Sequence, residues 1–158
     1  MSNSPGASPG AGANVSAAIL AGGLIAGAMD ITAAFVSSGL RGIPPVRVLQ
    51  SVASGLLGRE SYQGGAATAI LGILLHFGIA FAWATLFVLL SRRFKVLIEK
   101  PWLTGPLYGV VVYLVMYRIV LPLSAFPHAG SGAWLKNVLI HVFCVGLPIA
   151  LAARRWRG

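Results

Sequence analysis

Four apolar stretches, each about as long as the hydrocarbon core of a bilayer is thick, constrain the fold of this chain more than any other feature. They fall at 15–36, 66–90, 103–125 and 134–153, and a helix rising about 1.5 Å per residue needs roughly 20 residues to cover the roughly 30 Å of hydrocarbon. Together they occupy more than half of the 158 residues, which leaves no room for a separate soluble domain. Only 9% of residues are charged, against roughly 25% in an ordinary soluble domain. A mean hydropathy of +0.83 points the same way. The expected fold class is all-α, an integral membrane four-helix bundle.

Punctuation supports these boundaries. Gly39, Gly42, Pro44 and Pro45 follow the first stretch, Gly64 and Gly65 precede the second, and Pro101 and Pro127 flank the third, all residues that interrupt helices. Trp102, Trp134 and Trp156 stand at span ends, the depth at which indole rings prefer to sit. Residues 1–14, MSNSPGASPGAGAN, carry no large apolar side chain and read as a disordered tail. They also lack the positive n-region of a secretory signal, so the first span reads as a retained helix. The domain organisation is then a tail at 1–14 and a single membrane domain at 15–158.

Between the first two spans, at 44–58, Val46, Leu49, Val52, Ala53, Leu56 and Leu57 recur at helical spacing, while Arg47, Gln50, Ser51 and Ser54 occupy much of the other face. The segment is too short to cross a bilayer, so it is expected to be an interfacial or re-entrant amphipathic helix. Such a helix can lie on the lipid surface or act as a lid over a cavity.

The net charge of +9 comes from 12 Lys and Arg against 3 acids. In a soluble protein this balance suggests nucleic acid; here all the cations but Arg118 lie between, at the ends of or beyond the spans, where they anchor helix ends and meet anionic headgroups. The expected partner is the lipid bilayer and not nucleic acid. With both termini cytoplasmic, Arg92, Arg93, Lys95, Lys100, Arg154, Arg155 and Arg157 fall inside and Arg41, Arg47, Arg59 and Lys136 outside. This excess favours that orientation in a bacterial inner membrane. The single cysteine, Cys144, excludes an intrachain disulfide framework.

Small residues mark close helix contacts. Gly23, Gly27, Asp30 and Ala34 form one stripe on the first span, Gly105 and Gly109 repeat the pattern on the third, and Ala69, Gly72 and Ala80 share the His76 side of the second. These read as contacts within the bundle, with self-association the competing reading.

Each span also carries one ionisable residue: Asp30, His76, Arg118 and His141. A charge at a helix centre in hydrocarbon costs about 2.5–3.5 kcal/mol even on a lenient scale, so these residues need partners. All four lie within about 7 Å of their span midpoints along the axis and are displaced toward the same side, which permits one intramembrane polar layer. The simplest arrangement is an Asp30–Arg118 ion pair with the two imidazoles completing the hydrogen bonds; alternatively Arg118 snorkels to the headgroups. Asn137, one turn before His141, is a candidate partner for that ring. Pro122 and Pro148 free the carbonyls of Arg118 and Cys144.

Two histidines on different helices at similar depth also meet the minimum for bis-histidine ligation of haem b, which makes a haem-binding electron carrier an alternative, although small-residue stripes favour packing too tight for a porphyrin. No cofactor and no metal site is expected otherwise. The chain has no phosphate-binding glycine loop ending in Lys-Ser or Lys-Thr, no C-x-x-C, no H-E-x-x-H and no G-x-S-x-G. Glu60 and Glu99 are isolated loop acids, and Ser91, Ser124 and Thr104 sit at span ends with no base beside them. The expected function is therefore non-enzymatic: a bundle whose polar layer is structural or responds to protons or a small solute, with an accessory subunit of a larger membrane complex as another alternative.

The segments PVRVLQSVASGLLG at 45–58, LHFG at 75–78, LPLSAFP at 121–127 and IHVF at 140–143, with AARRWR closing the last span, resemble in their order the small bacterial inner-membrane proteins of the YagU-like kind and related short four-helix families. The resemblance runs over nearly the whole chain from Val15. It implies a multi-pass membrane protein from families without an established reaction; Asp30 and Arg118 do not map onto the pattern and rest on the physical argument alone.

Overall fold

The computed structural model describes residues 11–126 and 134–156. Among them every regular element is helical. The helices are α1 (Ala11–Gly39), α2 (Pro45–Leu57), α3 (Gly65–Arg93), the short α4 (Val96–Glu99), α5 (Pro101–Leu123) and α6 (Trp134–Arg155). Of these, α1, α3, α5 and α6 are long and apolar enough to cross a membrane. Each expected span is thus a helix. The first begins at Ala11 rather than at residue 15, because Ala, Gly and Asn before Val15 simply continue the turn; the rest of the expected tail, 1–10, lies outside the described residues, as do Pro127 and Arg157.

The four long helices pack with α1 against α3 and α6, and with α5 against α6. The core is made of small side chains such as Ala18, Ala26, Ala84 and Ala150, with Phe87 and Ile149 as its largest apolar members. The big aliphatics, among them Leu20, Leu24, Leu74, Leu107 and Leu139, point outward. That distribution inverts the usual one of a soluble domain, and it leaves an apolar exterior far larger than a soluble monomer carries.

The small-residue stripes make contacts within the chain. Side-chain space at Gly23 and Gly27 is taken by Phe81 and Phe77 of α3, and Gly105, Gly109 and Gly146 let the backbones of α5 and α6 meet directly. By contrast α3 and α5 are joined by long aromatic side chains: Tyr108 donates its hydroxyl proton to the Trp83 carbonyl at 2.7 Å and lies 4.8 Å from the Phe87 ring. Of these residues Trp83 also lines a cavity.

Both proline-bearing helices contain a π turn. In α5 it covers Met116–Val120, with the Leu121 amide bonded to the Met116 carbonyl; in α6 it covers His141–Gly146, with the Leu147 amide bonded to the Val142 carbonyl. Each turn ends just before the residue preceding Pro122 or Pro148. A proline lacks the amide that an α-register would need, and widening the preceding turn redirects the neighbouring bonds.

The amphipathic segment is α2, and Gln50 and Ser54 of its polar face are turned toward protein while Arg47 stays exposed. Val48 and Ala53 are buried with them, and Val46, Leu56 and Leu57 are exposed. The polar side of an interfacial helix ordinarily faces water. Burying it here leaves no orphan groups: Gln50 donates to the Gly65 carbonyl at 3.1 Å, and the Ser51 and Ser54 hydroxyls bond back to Val48 and Ser51 carbonyls at 2.7 Å. Gly72 is the reason α2 can dock, since any side chain there would collide with the Leu49 carbonyl. At its far end α2 is tied to the end of α5, where the Ala125 amide donates to the Gly55 carbonyl at 2.9 Å.

Candidate functional site

Asp30 is placed on the face of α1 that Gly27 brings close to α3, and the residue it meets there is His76. The His76 Nε2 lies 2.8 Å from the Gly27 carbonyl oxygen. Because a carbonyl only accepts, Nε2 carries the hydrogen. The other ring nitrogen, Nδ1, then faces Asp30 Oδ2 at 4.0 Å. In the neutral ring Nδ1 is a lone pair and in the imidazolium it is a second N–H, so this pair can hold one proton more or one fewer without moving its anchor. Phe77 stands edge-on to the imidazole at 5.4 Å.

The expected Asp30–Arg118 ion pair is not formed. Arg118 lies in the π turn of α5, is exposed, and has no carboxylate within 4.0 Å among the described residues. Met116 and Tyr117 face the interior from that turn, whereas Arg118 falls on the side of an open cleft. A guanidinium left within reach of water avoids the desolvation that burial beside Asp30 would impose.

His141 opens the π turn of α6. Its Nδ1 donates to the Asn137 carbonyl at 2.8 Å, so Asn137 is indeed its partner, through the backbone rather than the amide side chain. The free Nε2 is then an acceptor. Tyr113 and Tyr117 pack edge-on to the ring at 5.6 and 6.3 Å, and their own rings lie 4.5 Å apart. The sequence reading missed these two tyrosines. Their signal was their position in mid-span, one turn apart, away from the span ends where tyrosine is ordinarily enriched.

Two connected spaces join these residues. A chamber of about 320 Å³ between α1, α2, α3, α5 and α6 is lined by Asp30, His76, Tyr117 and His141 together with apolar side chains. A larger cleft of about 1380 Å³ opens beside it, lined by Asp30, Tyr117 and His141 again and by Arg41, Arg118, Lys136 and Asn137. Asp30, His76 and His141 line the chamber, and Arg118 lines the cleft but not the chamber.

The two histidines do not fit a haem. Bis-histidine ligation requires one nitrogen of each ring to face a common iron, with a porphyrin between them. His76 has Nε2 committed to Gly27 and Nδ1 turned to a carboxylate, at a place where α1 and α3 are in close contact. Among the described residues no three His, Cys, Asp or Glu side chains cluster as a metal site would require. Comparison with protein-family models, curated proteins and solved structures finds no match to this chain.

Proposed function

We propose that this chain is a multi-pass protein of the bacterial inner membrane, of the YagU-like kind, that works without catalysing a reaction as a proton- and small-solute-responsive bundle. Lipid covers the belt of exposed aliphatic side chains, and α2 is a re-entrant helix whose apolar edge faces that lipid while Ser51, Val52 and Gly55 wall the chamber. The excess of Lys and Arg at the end of α3, on the α3–α5 connection and at the end of α6 supports cytoplasmic termini, and with that orientation the cleft lies on the outer side.

The observation that carries this reading is the Asp30–His76 pair. A carboxylate and an imidazole stand 4.0 Å apart on the wall of a chamber that connects to an open cleft, inside a bundle that is otherwise apolar. An ionisable pair in such a place is costly, and its exposure to the cleft lets protons reach it. The test is ring ¹⁵N NMR of histidine-labelled protein in micelles. The His76 ring is expected to show the Nε2–H tautomer, with an Nδ1 resonance that moves in Asp30→Asn. An Nδ1 resonance in Asp30→Asn superimposable on the wild type, or a ring without the Nε2–H tautomer, would remove the basis of the proposal.

A further inference from the structure

We propose that the cleft and the chamber form one binding site for a single-chain amphiphile with an anionic head, a carboxylate or a phosphate. This deepens the reading above by naming the solute, and it rests on that reading.

Charge selects the head. Arg41, Arg118 and Lys136 line the cleft, and among the described residues the only carboxylate there, Asp30, faces His76. Arg118 and Lys136 have no side-chain hydrogen bond or ion pair among the described residues, and Arg41 has only the Ser38 hydroxyl at 3.3 Å. Three cations against one engaged carboxylate leave unused capacity for an oxyanion, which guanidinium and ammonium groups bind by charge-assisted hydrogen bonds. The net positive lining disfavours a cationic head.

Apolar surface selects the tail. Behind the shared wall of Asp30, Tyr117 and His141 the chamber is lined by Ile79, Ala80, Trp83, Val112, Met116 and Val145. Its volume, about 320 Å³, lies at the small end of the roughly 300–1,000 Å³ of small-molecule pockets, enough for one short hydrocarbon chain and too little for the paired chains of a bilayer phospholipid. The π turns of α5 and α6 make the junction between the two spaces, since Tyr117 and His141, which line both, belong to them. Ser51 of α2 also lines both.

Trp83 in the chamber wall supplies the readout. In a variant with Trp102, Trp134 and Trp156 replaced by Phe, Trp83 is the sole indole. Bromine-labelled laurate added to this protein in mild detergent should quench its emission saturably and be displaced by unlabelled laurate, while bromine-labelled phosphatidylcholine should not quench saturably. Replacing Arg118 and Lys136 together by Gln should raise the half-saturating concentration by about tenfold or more, the scale of a lost charged hydrogen bond. Val52→Phe, which fills the chamber from α2, should abolish the quenching with the cations intact. Unsaturable quenching, equal quenching by the phosphatidylcholine, or saturation unchanged in the double-Gln protein would each overturn the proposal. The ¹⁵N spectra of the same sample separate the two readings: an Asp30-dependent His76 Nδ1 resonance without laurate binding removes only the amphiphile, whereas loss of that dependence removes the reading beneath it.

Discussion

His76 keeps one nitrogen on the Gly27 carbonyl and turns the other to Asp30, so the two side chains behave as one unit. Removing either leaves its partner part-buried among apolar groups without compensation, and removing both does not. In reversible unfolding in mixed micelles, Asp30→Asn and His76→Gln are therefore expected to be non-additive by more than about 0.5 kcal/mol. Asp30→Asn combined with Arg118→Gln should add within about 0.5 kcal/mol, because no contact joins those residues. The opposite pattern would restore the ion pair that composition alone suggested. That suggestion came from a sound rule, that buried charges are paired, applied to a residue whose side chain is exposed. Which face of a helix a cation takes near a π turn depends on one inserted residue, and nothing in the string MYRIVLP announces that insertion beyond the proline.

At the scale of elements, α2 shows how tertiary contacts reassign a pattern. Its periodicity identified a helix at 44–58 and the structure has one at Pro45–Leu57, yet Gln50 and Ser54 of its polar side face protein because Gln50 finds the Gly65 carbonyl and Gly72 leaves room for the Leu49 backbone. Gly72→Val should push the two helices apart, at a cost of about 1–3 kcal/mol for overpacking a tight contact. On a Cys144→Ser background, a cysteine at Ala53, fully buried at 0% exposure, should turn from inert to thiol-reactive when Gly72→Val is added. An unreactive Ala53→Cys in that protein would show that α2 is held by something other than this contact. The glycine pairs of α5 and α6 obey the same logic, and Gly146→Ala, which forces a side chain into the Gly105 and Gly109 backbones, is expected to destabilise the bundle by a similar amount. A backbone has no flexible end with which to make way.

Across the whole molecule, the orientation proposed from the positive charges has a direct measurement, and the structure decides where to place the probes. Ser61 and Ser91 are buried and would resist labelling from either side. Gln63 and Glu99 are exposed at opposite ends of α3 and its flanking turns. On the Cys144→Ser background, a membrane-impermeant maleimide applied to intact spheroplasts should label Gln63→Cys and spare Glu99→Cys. The reverse result would invert the topology and put the cleft on the cytoplasmic side.

Hydropathy and helix-breaking residues determined the architecture without help. A stretch of about 20 apolar residues has few alternatives to a helix when it must satisfy its own backbone in a nonpolar medium, so the four long helices, their approximate ends and the small-residue contacts could all be read along the chain. Counting residues at a fixed rise also put Asp30, His76, Arg118 and His141 near one level. What only the tertiary structure decided is azimuth: which residues at that level face one another. The two π turns rotate the helix faces around Tyr117 and His141, and α2 turns Gln50 and Ser54 inward. Azimuth depends on every contact that a helix makes at once, and a linear periodicity records only the net preference of its side chains.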